Sequence, residues 1–185
     1  MMMRRLFRTL VKDGKRNTKG SVAVEFALIA PIFFLLLFAI LETSLAWFGG
    51  MVLENGMKQT ARLIRTGQAQ NSNMTQQQFR DALCAQISVV LSCDPDKLYI
   101  DVRSYSSFAG AAFPNPINDD GTLNPNLNTY SLGGSTQASG VDTIVLARAF
   151  YTWQMFTPLI GRFYANMPNN VRLLSSSVAF RNEPF

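Results

Sequence analysis

A long apolar segment near the N-terminus limits the folds open to this chain of 185 residues. Residues 26–41 carry no charge, and the apolar segment extends back to Val22 with Glu25 as its single charged residue. About twenty helical residues at about 1.5 Å each span about 30 Å, which is the thickness of the hydrocarbon core of a bilayer. The sequence therefore predicts a transmembrane helix.

The segment before this helix is strongly basic. Its twenty residues contain seven lysines and arginines and one aspartate, a net charge of +6, whereas the whole chain has +5. By the positive-inside rule, the N-terminus stays in the cytoplasm and the chain after the helix is exported. A secretory signal peptide also begins with basic residues, but its apolar core is shorter and ends at a small-residue cleavage site, and no clear site of that kind follows here. An uncleaved signal anchor is the simplest interpretation.

That interpretation leaves Glu25 unexplained. A charge inside an apolar span costs about 2.5 to 3.5 kcal/mol on insertion scales, and by default it marks a function with a partner. Gly20, followed by four residues and then by Glu25 and Phe26, stands at the opening of the apolar helix. This arrangement resembles the processing site of type IV pilin-like proteins, in particular the TadE-like minor pseudopilins of the Tad pilus system.

The resemblance implies cleavage between Gly20 and Ser21 by a prepilin peptidase on the cytoplasmic side. The mature chain would keep 165 residues, with ten basic and eleven acidic side chains, and Glu25 would be its fifth residue. The implied partners are that peptidase, other pilins and pseudopilins of the Tad system, the inner-membrane assembly platform and the membrane itself. The implied function is support of the assembly of a thin adhesive pilus. The sequence leaves open whether the subunit enters the fibre, caps its tip or stays in the membrane.

Cleavage also suggests why an acid is needed at this position. The new α-ammonium of Ser21 on one subunit can lie against Glu25 of a neighbour when mature helices pack side by side. Each charge then offsets the desolvation cost of the other.

The composition argues against several other functions. The chain has no histidine, which removes the commonest general base and His-ligated zinc, and it contains no phosphate-binding glycine motif. The excess basic charge lies in the leader, so nucleic acid is not an expected partner. We expect no enzymatic activity, no cofactor, no metal and no small-molecule substrate. The alternatives are an uncleaved single-pass membrane adaptor and, more remotely, a membrane-anchored periplasmic hydrolase.

The predicted organisation has three parts. Residues 1–20 form the leader, residues 21–66 form one long helix, and residues 67–185 form a small exported α+β domain. Helical spacing continues past the apolar segment to about Arg65, with Gly67 as the C-cap and with Gly49-Gly50 expected to loosen the helix. The run at 61–69 and the C-terminal residues 180–185 also resemble the TadE-like family.

A second helix is predicted from a capping box formed by Thr75 and Gln78, with Met74 and Phe79 as its hydrophobic staple. This helix should end near Ser92 and lie on a sheet. Cys84 and Cys93 are the only cysteines, and both lie on the exported side, where thiols oxidise. A disulfide between them is expected, with two buried free thiols as the alternative.

Three runs of strand character predict a three-stranded antiparallel sheet: Leu98 to Arg103 with one buried face, Thr143 to Tyr151, and Val171 to Phe180. Residues 107–141 form a loop rich in Gly, Asn, Ser and Pro, which is either a contact surface or a mobile segment. Its composition predicts that most of residues 115–138 can be deleted without unfolding the domain. The alternative is that the loop carries core residues, with Phe113, Leu127 and Leu132 as the candidates.

Aromatic residues cluster after the second strand run. A binding platform is conceivable, but a small core filled by aromatic side chains is the preferred interpretation. The members are Phe150, Tyr151, Trp153, Phe156, Phe163 and Tyr164.

Overall fold

The computed structural model describes residues 18–133 and 144–183. Most of the predicted leader, the end of the long loop, Thr143 and the last two residues lie outside the described residues. The chain divides into two compact units, Met1–Leu41 and Glu42–Phe185.

The long helix, α1, spans Thr18–Arg65 without interruption. It contains the one helix segment in the described residues that is long and apolar enough to cross a membrane, and the most apolar part of that segment is not buried. Its predicted end is confirmed, because Gly67 follows with a positive φ of 75° and donates its N–H to the Ile64 carbonyl at 3.1 Å. Glycine adopts this left-handed conformation without steric cost, which explains the stop.

In the second unit, the end of α1 is followed by a short helix α2 (Gln68–Asn71) and by α3 (Gln76–Ile87). The sheet consists of β1 (Leu98–Tyr105), β2 (Ile144–Gln154) and β3 (Val171–Arg181), with a helix α4 (Pro158–Tyr164) between β2 and β3. The strand order is β1-β2-β3 and both pairs are antiparallel. The predicted α+β fold, with one helix on a three-stranded antiparallel sheet, is confirmed.

The main core lies between the helices and one face of the sheet. Apolar side chains of α1 and α3 meet those of β1 and β2 there, because the residues at helical spacing and the alternate residues of the strands face each other. Its fully buried members include Leu53, Met57, Ile64, Phe79, Leu83, Ile87, Leu98, Ile100 and Val102.

The start of α3 is as predicted. The Thr75 side chain accepts from the Gln78 backbone N–H, the Gln78 side chain accepts from the Thr75 N–H, and Met74 packs against the core that contains Phe79. The predicted end near Ser92 is wrong, because α3 ends at Ile87. Nine further helical residues from Cys84 would carry Cys93 about 13 Å along the axis. The chain instead turns back after Ile87, and the Cα atoms of Cys84 and Cys93 are 5.9 Å apart.

The expected loosening of α1 at Gly49-Gly50 is also wrong. The helix continues through both residues, and Gly49 lies where the sheet approaches α1 closely. A Cβ added at Gly49 would lie 3.1 Å from Cζ3 of Trp153 and 3.3 Å from Cδ2 of Leu91. The glycine therefore serves close packing rather than flexibility.

The long loop covers the second face of the sheet and the free edge of β1. Leu127 is 1% exposed and forms a small second core with Phe150 and Leu173. Val102 donates its backbone N–H to the Thr129 carbonyl at 2.8 Å, and Ser131 donates to the Val102 carbonyl at 2.8 Å. The loop thus supplies core contacts and edge protection. The expectation that most of it is dispensable is therefore not supported by the described part, 107–133.

Both faces of β2 are buried from Ile144 to Tyr151, and the second face of β1 is covered at Asp101, which corrects the prediction that β1 has one buried face. Asp101 is fully buried although its neighbours on the strand already face the main core.

The aromatic cluster is divided between buried and exposed side chains. Phe150 and Tyr151 are buried, but Phe156 and Phe163 are 78% and 87% exposed. The interpretation of this cluster as a filled core is wrong for these two residues.

Candidate functional site

The residues predicted for processing lie at the beginning of α1. Gly20 is within the helix, and no described atom lies within 4 Å of the position that a Cβ would take there. Its backbone is not in the left-handed region that favours glycine. Within the described residues, neither packing nor backbone conformation therefore requires a glycine at this position.

The structure brings two of the predicted residues together. Ser21 and Glu25 lie one turn apart on the same face of α1, and the Ser21 hydroxyl donates to Oε1 of Glu25 at 3.2 Å. Both side chains are exposed, and Phe26 beside them is 66% exposed. Among the residues whose side chains are described, no lysine or arginine forms an ion pair with Glu25. Its carboxylate has a neutral partner and remains open to a cation from another molecule.

A second acid of α1 was not identified from the sequence. Glu42, the first charged residue after the apolar run, is only 6% exposed. Its carboxylate accepts hydrogen bonds from the backbone N–H of Phe156 and, at 3.2 Å, from that of Thr157. These groups are more than a hundred residues away in the chain, so local pattern offered no signal for the contact. Glu42 fixes the start of the segment that contains α4.

A buried ion pair lies on the second face of the sheet. Asp101 and Arg148 are cross-strand neighbours, and Nε of Arg148 donates to Oδ2 of Asp101 at 3.1 Å. Arg103 also donates to this carboxylate, and the Pro114 carbonyl accepts from Nη1 of Arg148 at 2.8 Å. Every charged atom thus meets a partner, as burial requires. An arginine within the apolar run of β2 was the available signal, and it was missed.

The two cysteines lie at the end of α3 and in the turn that follows. Cys84 and Cys93 are joined in the structure, so that the turn after α3 is tied back to the helix. Within 18–133 and 144–183, no group of three or more acidic or cysteine side chains is arranged to hold a metal ion. The arrangement found here can hold a chain segment in place through the carboxylate of Glu42.

The comparisons with known proteins concern the same helix. A family model described as TadE-like protein matches residues 20–62. No curated protein matches the chain, and no solved structure matches it. The match begins at Gly20, includes Ser21, Glu25 and Phe26, and ends before the C-terminal segments that also resembled the family. The resemblance predicted from the Gly20 to Phe26 motif is therefore confirmed: over residues 20–62 the chain matches the TadE-like family.

Proposed function

We propose that this protein is a minor pseudopilin that supports assembly of a Tad-type adhesive pilus. The match over α1 supports a pilus-associated structural role at the level of the family. The finer role proposed here includes processing after Gly20 by a prepilin peptidase and contact with other pilins, pseudopilins and the inner-membrane assembly platform.

The observation that carries the proposal is the environment of Gly20. A glycine that neither its backbone conformation nor packing among the described residues requires stands directly before Ser21 and within about one and a half turns of Glu25. A second protein that must approach the backbone closely explains such a residue, because any side chain would obstruct the approach. The basic leader before it is consistent with recognition on the cytoplasmic side of the membrane.

The proposed location is the bacterial inner membrane. Helix α1 has one apolar segment of sufficient length, which is consistent with a single-pass protein. The charge of the leader favours a cytoplasmic N-terminus, so the second unit is proposed to be periplasmic. A disulfide between Cys84 and Cys93 suits that oxidising compartment.

The proposed assembly contact uses the carboxylate of Glu25. In the precursor it accepts from the Ser21 hydroxyl. After cleavage, Ser21 would bear an α-ammonium, and that cation on a neighbouring subunit would meet a carboxylate that lacks a charged partner among the described side chains of its own chain.

Processing is tested by replacing Gly20 with leucine and measuring the intact mass of the membrane protein. Gly50→Leu is a matched control, because an added Cβ meets no atom within 4 Å at either position of α1. We expect Gly20→Leu to remain at the precursor mass, and the control to lose the twenty-residue leader as the wild type does.

Maturation of Gly20→Leu to a Ser21 N-terminus would contradict the proposed recognition. Wild-type protein that retains its leader in a strain with the pilus system would instead favour the uncleaved membrane adaptor.

A further inference from the structure

An exposed apolar surface lies on and just before α4. Phe156 is 78%, Leu159 48% and Phe163 87% exposed, and Leu159 and Phe163 are four residues apart, on one face of the helix. Large apolar side chains grouped in this way on a small domain mark an interaction site. We refer to Phe156, Leu159 and Phe163 as the α4 surface.

Glu42 holds the chain segment that bears this surface. Residues 26–41 carry no charge, and Glu42 directly follows them on the same helix. Its carboxylate accepts from the backbone N–H groups of Phe156 and Thr157. The segment that bears the α4 surface is thus held at the residue where the apolar part of α1 ends.

Side chains that follow Glu42 on α1, and one within α4, are of the kinds typical of a membrane interface. Trp47 and Phe48, 69% and 51% exposed, follow Glu42 on α1 within about two turns. Arg162 is exposed within α4, between the two apolar residues of that helix. Exposed tryptophan, phenylalanine and a basic residue beside an apolar face favour a lipid surface, where aromatic rings lie at the headgroup level and arginine meets phosphate.

We propose that the α4 surface inserts into the outer leaflet of the bilayer, so that the exported domain has an interfacial contact with lipid in addition to the apolar segment of α1. The inference rests on the part of the proposed function that places α1 across a membrane, and it is independent of cleavage at Gly20. The contact orients the domain on the membrane before assembly. Extraction of a subunit would then require removal of both α1 and the α4 surface from lipid.

The test places a tryptophan in the α4 surface of the full chain. Phe163→Trp is made in a Trp47→Phe background, because the exposed Trp47 would itself respond to lipid. The protein is reconstituted into phosphatidylcholine and phosphatidylglycerol vesicles with or without bromine on the acyl chains, and emission is also measured with aqueous iodide. The Trp47→Phe protein without a further substitution is measured as well, so that the emission of its remaining tryptophan, Trp153, can be subtracted.

The matched control is Phe108→Trp in the same background. Phe108 is 62% exposed and follows Tyr105, which pairs with Ile144 at the far end of β2 from Gln154. Ten strand residues separate the two ends by about 33 Å. The control tryptophan therefore lies far from the level of Glu42.

We expect brominated lipid to quench the emission of the tryptophan at 163 and iodide to leave it nearly unchanged, with the reverse at 108. Equal iodide quenching at both positions would overturn the inference. Protection at 163 that disappears when the protein is diluted in the bilayer would also overturn it, and would indicate contact with a second copy. Failure of the protein to float with vesicles would instead contradict the membrane anchor of the proposed function.

Discussion

Asp101 and Arg148 are cross-strand neighbours on the face of β1 and β2 that the long loop covers. The side chains of Asp101 and Arg148 are 0% and 5% exposed, so neither charge is solvated by bulk water. The long loop completes the site, because it supplies the Pro114 carbonyl to Arg148 and the Asn126 carbonyl to Arg103. The ion pair therefore links the sheet to the loop, and its loss would affect both.

Asp101→Asn should destabilise the protein strongly. The variant keeps the shape of the side chain but leaves Arg148 buried without a counter-ion, which costs about 3 to 5 kcal/mol for a buried pair. Urea unfolding of the full chain in detergent, followed by near-UV circular dichroism, gives the free energy of unfolding. The control is Asp81→Asn on the exposed surface of α3, which should change stability by about 0.5 kcal/mol or less. Equal effects of the two substitutions would show that the pair is not important for stability.

Tyr130 connects the loop to the main core and should make stability sensitive to alkaline pH. Its ring centroid lies 5.8 Å from that of Phe79, and its hydroxyl is buried without a described hydrogen-bond partner. Burial raises the pKa of Tyr130 from 10.0 to about 12. In the interval between these values the unfolded chain loses the proton and the folded chain keeps it. The contribution of protonated Tyr130 to the free energy of unfolding is therefore complete below pH 10 and is lost as the pH rises towards 12.

The corresponding variant is Tyr130→Phe. It retains the ring and removes the titrating group, so the free energy of unfolding should fall less between pH 10 and pH 12 than in the wild type. Subtraction of the two pH profiles removes the contribution of the lysines and of the other tyrosines, because both proteins contain them. Parallel profiles over this interval would contradict the assignment.

At the scale of elements, α1 and α3 pack closely at Gly56. A Cβ added at Gly56 would lie 2.5 Å from Cγ2 of Ile87 and 3.3 Å from Cβ of Gln86. Only a residue without a side chain allows the two helices to pack at this distance. The same approach buries Met57 and Leu83 in the main core.

Gly56→Ala should therefore destabilise the domain, by about 1 to 3 kcal/mol as is usual for overpacking. Gly50→Ala is the matched control, because the added Cβ meets no atom within 4 Å and alanine favours a helix by about 1 kcal/mol over glycine. The two glycines of one helix should thus respond with opposite signs. The midpoint of urea unfolding measures both, and a stabilised Gly56→Ala variant would exclude the close contact.

The elements that sequence reasoning located correctly are those with local signals. Gly67 ends α1 through its own backbone conformation, and Thr75 begins α3 through a hydrogen bond to Gln78, three residues away. The end of α3 could not be located in the same way. It depends on a turn that brings Cys93 back to Cys84, and neither residue interrupts a helical pattern. The cover of the second sheet face depends on contacts between the loop and the strands, which have no periodic pattern.

The candidate functional residues divide in the same manner. Gly20, Ser21 and Glu25 are close in sequence and lie on one helix, so their spacing was sufficient to predict their proximity. The contact of Glu42 with Phe156 joins distant parts of the chain and is visible only in the folded structure. The exposure of Phe156 and Phe163 likewise depends on where that contact holds the segment.

At the scale of the whole molecule, the two acids at the ends of the apolar segment have different environments. Glu42 has its hydrogen bonds within its own chain, and it is buried by the segment before α4. Glu25 is exposed and bonded to a neutral hydroxyl. Because an acid in an apolar span demands compensation, Glu25, which is exposed and has no cationic partner among the described side chains, is the candidate for contact with another subunit.

Glu25→Gln should therefore abolish or greatly reduce piliation while the protein is still inserted and folded. The amide keeps the size of the side chain and most of its hydrogen-bonding capacity but removes the charge, so insertion into the membrane should be at least as favourable as in the wild type. The ion pair with the new α-ammonium of a neighbouring Ser21, which is proposed to set the axial register of the helices, would be lost. Counting pili by electron microscopy, together with the precursor-to-mature ratio from intact mass, separates assembly from processing.

The matched control for this variant is Glu54→Gln. Glu54 is also an exposed acid of α1, but it pairs with Lys58 of its own chain, and a surface pair of this kind contributes about 1 kcal/mol or less. We expect normal pili from the control and few or none from Glu25→Gln at an equal level of mature protein. A fully processed Glu25→Gln protein that supports normal pili would exclude the intersubunit ion pair, since no remaining step would require the charge. Slower processing without an assembly defect would instead assign Glu25 to recognition by the peptidase.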